Sequence, residues 1–419
     1  LTDVRTLLVL SQVYPPDPTS VGQHVADAAA SMARRGFRVR VLTANRGYDN
    51  PKVRYPSRET RDGVEIRRLP LSSFGKGSIP IRLLGGALFV AQAIVHGLFT
   101  PRLAAILVST SPPLCAIAAL VIAAVRRVPI KYWVMDLNPD QVVALGKAAP
   151  DAWTVRMFDR FNRLILYRAA DVIALDRFMA ARLTKKLDVS DKMTILPPWP
   201  HEDHVEPVAH ADNPFRRAHG LEGKFVVMYS GNHGPSNPIA TILAAAHELR
   251  GNNDLVFMFI GGGIGKAEVE RAIEAGATNV RSLPYQPLSE IRYSLSAADV
   301  HLVTMGDEVV GIVHPCKVYG AMAVSRPVLL LGPRPCHVSD LLERHGFGWQ
   351  TAHGDTPAAV RLLERIAATP PEELASMGER ARAAISAELS KDELCGRFCD
   401  ALERGVSARS PHPMAHRST

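Results

Sequence analysis

The sequence predicts an α/β protein built from two consecutive parallel-sheet units. Three observations carry this. Short, continuous apolar runs such as residues 6–11 and 255–260 alternate with segments of helical periodicity, the pattern of strands buried on both faces. That pattern breaks at Pro197-Pro198-Trp199-Pro200 and in the polar stretch 201–217, rich in His, Asp, Glu and Pro, and restarts at Phe225. A chain of 419 residues is also long for one core and ample for two.

In the first unit, strands are expected at residues 6–11, 37–43, 64–69, 105–109, 130–135, 171–175 and 192–196. Helices are expected at 21–35, where Gly36 offers a C-cap, and at 114–125. In the second unit, strands are expected at 225–230, 255–260, 280–283, 300–303 and 328–331, and helices at 239–250 and 288–297. A long helix-prone region follows from 357 to 404. The expected domains are residues 1–200 and 218–385. A C-terminal helix, 386–404, is expected to pack back on the first domain, followed by a flexible tail, 405–419.

Composition narrows the class. Apolar residues make up 47% of the chain, which excludes general disorder. Lys and Arg number 49 against 41 Asp and Glu, a net charge of +8. This surplus favours a nucleotide diphosphate or an anionic lipid surface as partner, and fits an ordinary solvated surface equally. Nucleic acid ranks lower, since no dense basic block, zinc-finger spacing or RNA-binding aromatic motif occurs. The five cysteines are odd in number and scattered, as in a reducing compartment. Cys395 and Cys399, four apart, read as helix packing. The first ten residues do not resemble a signal peptide. The apolar stretches 83–99 and 103–125 are interrupted, the first by Gln92 and His96 and the second by residues 109–113, so no transmembrane helix is expected. Residues 73–99, with Lys76 and Arg82, fit either a helix lying on a bilayer surface or a core helix.

Candidate sites cluster at the ends of strands, where open α/β sheets bind ligands. The loop 15–22 places Gly22 at a helix start, where free amides attract phosphate; an ordinary βα loop reads the same way. Gly231-Asn232-His233-Gly234 takes the equivalent place in the second unit, with His233 a donor for a phosphate oxygen. Gly261-Gly262-Gly263 could border a nucleotide. Neither the dinucleotide fingerprint nor the Walker pattern is present. Asp136, at a strand end before Pro139, suits either a proton acceptor or a turn residue. The richest segment runs from Asp307-Glu308 to Arg326-Pro327. Lys317 falls in a first helical turn, where a cation opposes the helix dipole. An anion between the lysine and the helix amides would explain that placement.

These motifs together resemble glycosyltransferase family 4, of the two-Rossmann GT-B fold. The nearest likeness is to bacterial enzymes building capsule, colanic-acid-like or O-antigen polysaccharides. It covers roughly residues 7–385 and rests on Tyr14-Pro15-Pro16 to Gly22, Asp136-Leu137-Asn138-Pro139, Tyr229-Ser230-Gly231-Asn232, and Pro315-Cys316-Lys317-Val318-Tyr319-Gly320 with Arg326-Pro327. The resemblance implies parallel sheets facing across a cleft, with the nucleotide in the second domain and the acceptor facing the first. It implies catalytic roles for Asp136, Lys317 and Glu308. Donor contacts are implied for Gly22, Gly231, Asn232, His233, Gly262, Pro284, Tyr285, Asp307 and Tyr319. It further implies retention of anomeric configuration, a UDP-sugar donor, and a saccharide or polyprenyl-diphosphate-linked saccharide as acceptor. No metal or other cofactor is expected. The place of action would be the cytoplasm, with peripheral contact at the inner membrane.

The chain departs from the family pattern at four places. Gly320 stands where many members hold the ribose with a glutamate. Ile312 stands at the first glutamate of the usual E-x7-E pair. Met135-Asp136 stands where many have a catalytic histidine. Residues 235–240 lack the common basic pair. Two other functions therefore remain open: a nucleotide-sugar epimerase of the same fold, and a non-catalytic nucleotide-sugar or glycan binding protein.

Overall fold

Apolar runs become central strands because every backbone polar group must be paired once it leaves water. The computed structural model describes residues 4–406, apart from Pro18, 48–51, Leu71, 73–78, Pro113 and 202–204. Lys76 and the tail beyond Val406 therefore lie outside the described residues. The chain divides into two compact units. The first holds Leu1–Val143, Ala148–Pro198 and Leu394–Thr419; the second holds Ala144–Lys147 and Trp199–Glu393.

The first unit contains an eight-stranded sheet: β1 (Thr6–Leu10), β2 (Arg38–Ala44), β3 (Arg58–Arg61), β4 (Val64–Leu69), β5 (Leu103–Ser109), β6 (Ile130–Trp133), β7 (Asp171–Ala174) and β8 (Met193–Ile195). The strand order is β3-β4-β2-β1-β5-β6-β7-β8. All neighbours are parallel except β3 and β4. β1 and β5 are buried along their whole length. Truncating a leucine such as Leu8 or Leu107 to alanine here would cost about 2–5 kcal/mol.

The last helix, from Leu394 onward, belongs to this unit. The Phe398 ring lies 4.3 Å from that of Trp133. The Lys131 ammonium, fully buried, is held by Asp171 at 2.5 Å and by the Arg404 carbonyl at 2.6 Å.

The second unit contains β9 (Phe225–Ser230), β10 (Leu255–Ile260), β11 (Val280–Leu283), β12 (Val300–Thr304), β13 (Val328–Leu331) and β14 (Gly348–Thr351), in the order β11-β10-β9-β12-β13-β14, all parallel. Tyr229, Phe257 and Phe259 fill one side of this sheet together with the helices Ala240–Glu248 and Thr356–Ala367.

Several elements differ from expectation for identifiable reasons. β3 was not expected, because its residues, Arg-Glu-Thr-Arg, carry no apolar pattern. Its signal is Asp62-Gly63, a hairpin pair with φ of 50° and 78°. β14 is half-exposed and equally weak in pattern. The region 357–404 is three helices, Thr356–Ala367, Pro371–Glu388 and Lys391–Glu403, because Pro370-Pro371 ends the first and Ser390 separates the others. The segment 201–217, expected as linker, contains the capped helix Pro214–Ala218.

Candidate functional site

Each sheet has one place where its strand order reverses, between β1 and β5 in the first unit and between β9 and β12 in the second. A crevice at the carboxyl ends of the strands is expected at both. The second is the better furnished.

β9 ends on Tyr229-Ser230 and runs into Gly231, whose φ is 132°. A side chain there would meet Lys317 Cε at 2.8 Å, so the lysine lies directly on the glycine. Gly261, with φ 128°, abuts the Gly231 carbonyl, and a Cβ on it would collide with that oxygen. Glycines at both positions let the two loops close up.

Lys317 opens the helix Lys317–Ala323. Its ammonium donates to Asn237 Oδ1 at 3.2 Å and stands 5.2 Å above the Tyr229 ring. Asn237 in turn donates to the Thr304 carbonyl at 2.8 Å. The Tyr229 hydroxyl donates to the Asn232 carbonyl at 2.7 Å. Burial lowers the lysine to about 8. Among the described residues it has no carboxylate partner. The half-buried cation is thus backed by a neutral amide and a ring, with no compensating charge beside it among the described residues.

His233 is buried, and its ring Nδ1 faces the Gly262 carbonyl at 3.3 Å. Burial and the charge of Lys266 hold it down at about 4, so it is neutral near pH 7. With the proton on Nδ1 toward that carbonyl, Nε2 is an acceptor, and it has no partner. A neutral ring carries one N–H, which His233 directs either to the Gly262 carbonyl from Nδ1 or outward from Nε2. Lys266 is likewise tied inward, to the Phe259 and Leu283 carbonyls.

Tyr285 lies over Gly262, where a Cβ would come within 3.1 Å of its ring. Both Tyr285 and its neighbour Pro284 are exposed. Asp307 and Glu308 occupy the exposed short turn Asp307–Val309 that follows β12. Gly306, just before them, donates to the Ser236 carbonyl at 3.0 Å, which brings this turn beside the β9 loop.

Tyr319 is placed differently. It lies two residues beyond Lys317, on the other side of the helix. Its hydroxyl is engaged by His314 Nε2 at 2.7 Å and His337 Nε2 at 3.0 Å.

In the first unit, Gly22 is in the first turn of the helix Ser20–Arg34, capped by Thr19. Its amide donates to Thr19 Oγ1 at 3.3 Å, and a side chain on it would meet that oxygen at 2.9 Å and the Tyr14 amide nitrogen at 3.2 Å. Asp136 is half-buried, three residues beyond β6. Its amide and that of Met135 both donate to Thr110 Oγ1, at 3.1 and 3.2 Å. Asn237 is the member of the second site that sequence reasoning missed. Its signal was a polar amide between two strand-end loops, in Ser236-Asn237-Pro238.

Two family models match the chain, one to each half. Residues 19–199 match the glycosyl transferase 4-like domain, and residues 212–384 match the glycosyl transferases group 1 model. The chain belongs to the glycosyltransferases. Asp136 and Gly22 fall in the 4-like domain; the loop at Gly231 and the Lys317 helix fall in the group 1 domain.

The glycosyltransferase is 28% identical over 263 residues to the probable glycosyltransferase WbjE of Pseudomonas aeruginosa, an alignment covering 62% of this chain and 65% of WbjE. It is 25% identical over 356 residues to the putative colanic acid biosynthesis glycosyl transferase WcaI of Escherichia coli strain K12, covering 80% of this chain and 86% of WcaI. Among solved structures, sucrose-phosphate synthase of Thermosynechococcus elongatus superposes with a TM-score of 0.74 at 16% identity, covering 96% of this chain and 98% of that one. HepE of Anabaena in complex with UDP and glucose gives 0.71 at 13% identity, covering 96% and 100%. WaaG, involved in lipopolysaccharide biosynthesis, gives 0.69 at 16% identity, covering 94% and 98%. These likenesses establish the GT-B fold of two Rossmann-like domains.

Proposed function

We propose that this glycosyltransferase moves a sugar from a UDP-sugar to a saccharide, or to a polyprenyl-diphosphate-linked saccharide, in surface polysaccharide synthesis, with retention at the anomeric carbon. The observation that carries the reading is Lys317, a half-buried cation seated on Gly231 with no carboxylate partner among the described residues. A nucleotide diphosphate supplies the missing charge. The relatedness to WcaI and the UDP complex of HepE support the polysaccharide and UDP parts of the reading.

In this reaction the bond from the sugar's anomeric carbon to the β-phosphate oxygen breaks. The acceptor oxygen forms its bond on the same face, and its proton passes to the departing phosphate. Charge accumulates on the diphosphate, where Lys317, seated on Gly231, stabilises it most in the transition state. Tyr285 offers a stacking face to the base beside Gly262. Glu308, with Asp307 next to it, is assigned to the donor sugar's hydroxyls. Asp136, in the 4-like domain, is assigned to the acceptor hydroxyl. The chemistry as drawn needs no metal, and chelation by EDTA should leave the rate unchanged. The enzyme would work at the cytoplasmic face of the membrane.

A thermal-shift screen with UDP-, GDP- and ADP-sugars tests the donor. Stabilisation by a UDP-sugar alone is expected, and selective stabilisation by another nucleotide would displace that part of the reading. Incubating the donor with and without a saccharide acceptor separates transfer from epimerisation. Donor turnover that ignores the acceptor would favour an epimerase, and binding without turnover a non-catalytic role.

A further inference from the structure

We propose that the second unit carries a transition-metal site, suited to Zn²⁺, formed by His314, Tyr319 and His337.

The Tyr319 hydroxyl is the centre of the cluster. His314 Nε2 lies 2.7 Å from it and His337 Nε2 3.0 Å. The two imidazole rings are in contact, with centroids 4.2 Å apart, and a ligand nitrogen of each lies within 4.8 Å of the other's. A phenol has one proton, so it donates to one of these nitrogens and the other ring must donate to it. One acceptor is enough to satisfy the buried hydroxyl; the second imidazole turns the cluster into a ligand set. Around a tetrahedral ion with bonds of about 2.0 Å, neighbouring ligand atoms lie about 3.3 Å apart. The hydrogen-bonded spacings here are slightly shorter, so an entering ion spreads the three atoms and does not have to rebuild the site.

Each ligand is held by a different segment. Tyr319 belongs to the helix Lys317–Ala323 and is 2% exposed. His314 lies in the loop before that helix, where its carbonyl accepts from the Cys316 amide at 3.0 Å. His337 opens the helix His337–His345, behind a capping box in which the Cys336 amide donates to Ser339 Oγ at 2.8 Å. The three side chains are thus oriented by backbone that is already fixed, as a metal site requires. Both histidines are half-buried, which leaves a way in.

The donor set selects the ion. Two imidazole nitrogens and a phenolate suit Zn²⁺ or a neighbouring first-row ion, whereas Mg²⁺ and Ca²⁺ take oxygen ligands. On binding, each of the three atoms gives a lone pair and the phenolic proton passes to water. A fourth position is left to a water molecule. Tyr319 and Lys317 point to different sides of their helix, so the ion fastens the loop at His314 and two helices together and takes no part in the transfer step.

The test is metal uptake by the full chain, stripped of ions with EDTA and titrated with Zn²⁺ against a chromophoric chelator, without donor or acceptor. One tightly held ion per chain is expected, with a melting temperature that rises as zinc is added. Co²⁺ in place of Zn²⁺ should give the strong visible absorption of a four-coordinate ion. His314→Ala and His337→Ala should each lose zinc affinity at least about tenfold, while His247→Ala, on the helix Ala240–Glu248, keeps it. Tyr319→Phe retains the buried ring, which guards against misfolding; it should weaken zinc binding about tenfold and alter the cobalt spectrum. No zinc uptake, a cobalt spectrum of the weak six-coordinate kind, or wild-type affinity in both histidine variants would overturn the proposal. Each of these outcomes leaves the transfer chemistry standing.

Discussion

At the reversal of the first sheet, the loop after β1 is closed on itself. The Gly22 amide is engaged by Thr19, the glycine packs against Tyr14, and the candidate group beyond β6 of the same sheet is a carboxylate, Asp136. At the reversal of the second sheet, Gly231 lies beneath the Lys317 cation, which is backed by a neutral amide and a ring, with Tyr285 exposed over Gly262. The topology is the same and the chemistry opposite. One crevice has a tightly capped turn and an acid on its sheet; the other has a cation seated on a glycine loop. A Rossmann-like switch point thus fixes where a ligand goes, while the residues at the strand ends decide its charge.

The contrast can be broken by substitution, and the largest effect should come from Lys317→Ala. Losing one preorganised cation at the leaving group should lower turnover about 10²- to 10³-fold, with melting temperature nearly unchanged; initial rates and a melting curve on one preparation check this. Gly231→Ala comes next. Its side chain would displace the lysine and strain a φ of 132°, and donor KM should rise about tenfold. Tyr285→Ala removes the stacking face and should weaken UDP binding about fivefold, leaving binding of inorganic diphosphate alone. Gly22→Ala sharpens the comparison from the other side. It should destabilise the first unit by about 1–3 kcal/mol through overpacking, seen by urea unfolding, yet leave UDP affinity as it was. If Gly22→Ala and Gly231→Ala lose UDP affinity equally, the two crevices are not chemically distinct.

Much of this layout was legible in the sequence because central parallel strands are buried on both faces and so read as unbroken apolar runs. β1, β9, β10 and β13 were found for that reason. Edge strands β3 and β14 obey no such constraint and were not. The helices Trp153–Arg168, Arg177–Lys186, Lys266–Glu274 and His337–His345 also passed unmarked, their polar faces diluting the pattern. Lys317 stood out because a cation at a helix start is locally unfavourable. Asn237 did not, because its partner is 80 residues away and nothing local demands an amide there. The partners of Tyr319, His314 and His337, were not legible, because His337 comes from a later helix. The burial of His233 and its approach to the Gly262 carbonyl were not legible either, because that carbonyl lies 29 residues away.

Protonation gives a further handle on the second crevice. The lysine's folded value of about 8 lies below its ordinary 10.5. Between those values the unfolded chain holds more protons, so this group's contribution to stability rises with pH across that window. Its use as a cation runs the other way: the charge is present below about 8 and lost above it.

The most direct test compares UDP with uridine by isothermal calorimetry, for the wild type and Lys317→Met, at pH values below and above 8. A charge-assisted contact to the diphosphate predicts that the variant loses UDP affinity about 10- to 100-fold at the lower pH while uridine binding is unchanged. Wild-type affinity for UDP should also fall at the higher pH. Equal losses for UDP and uridine, or no loss in the variant, would contradict the assignment of Lys317 to the diphosphate.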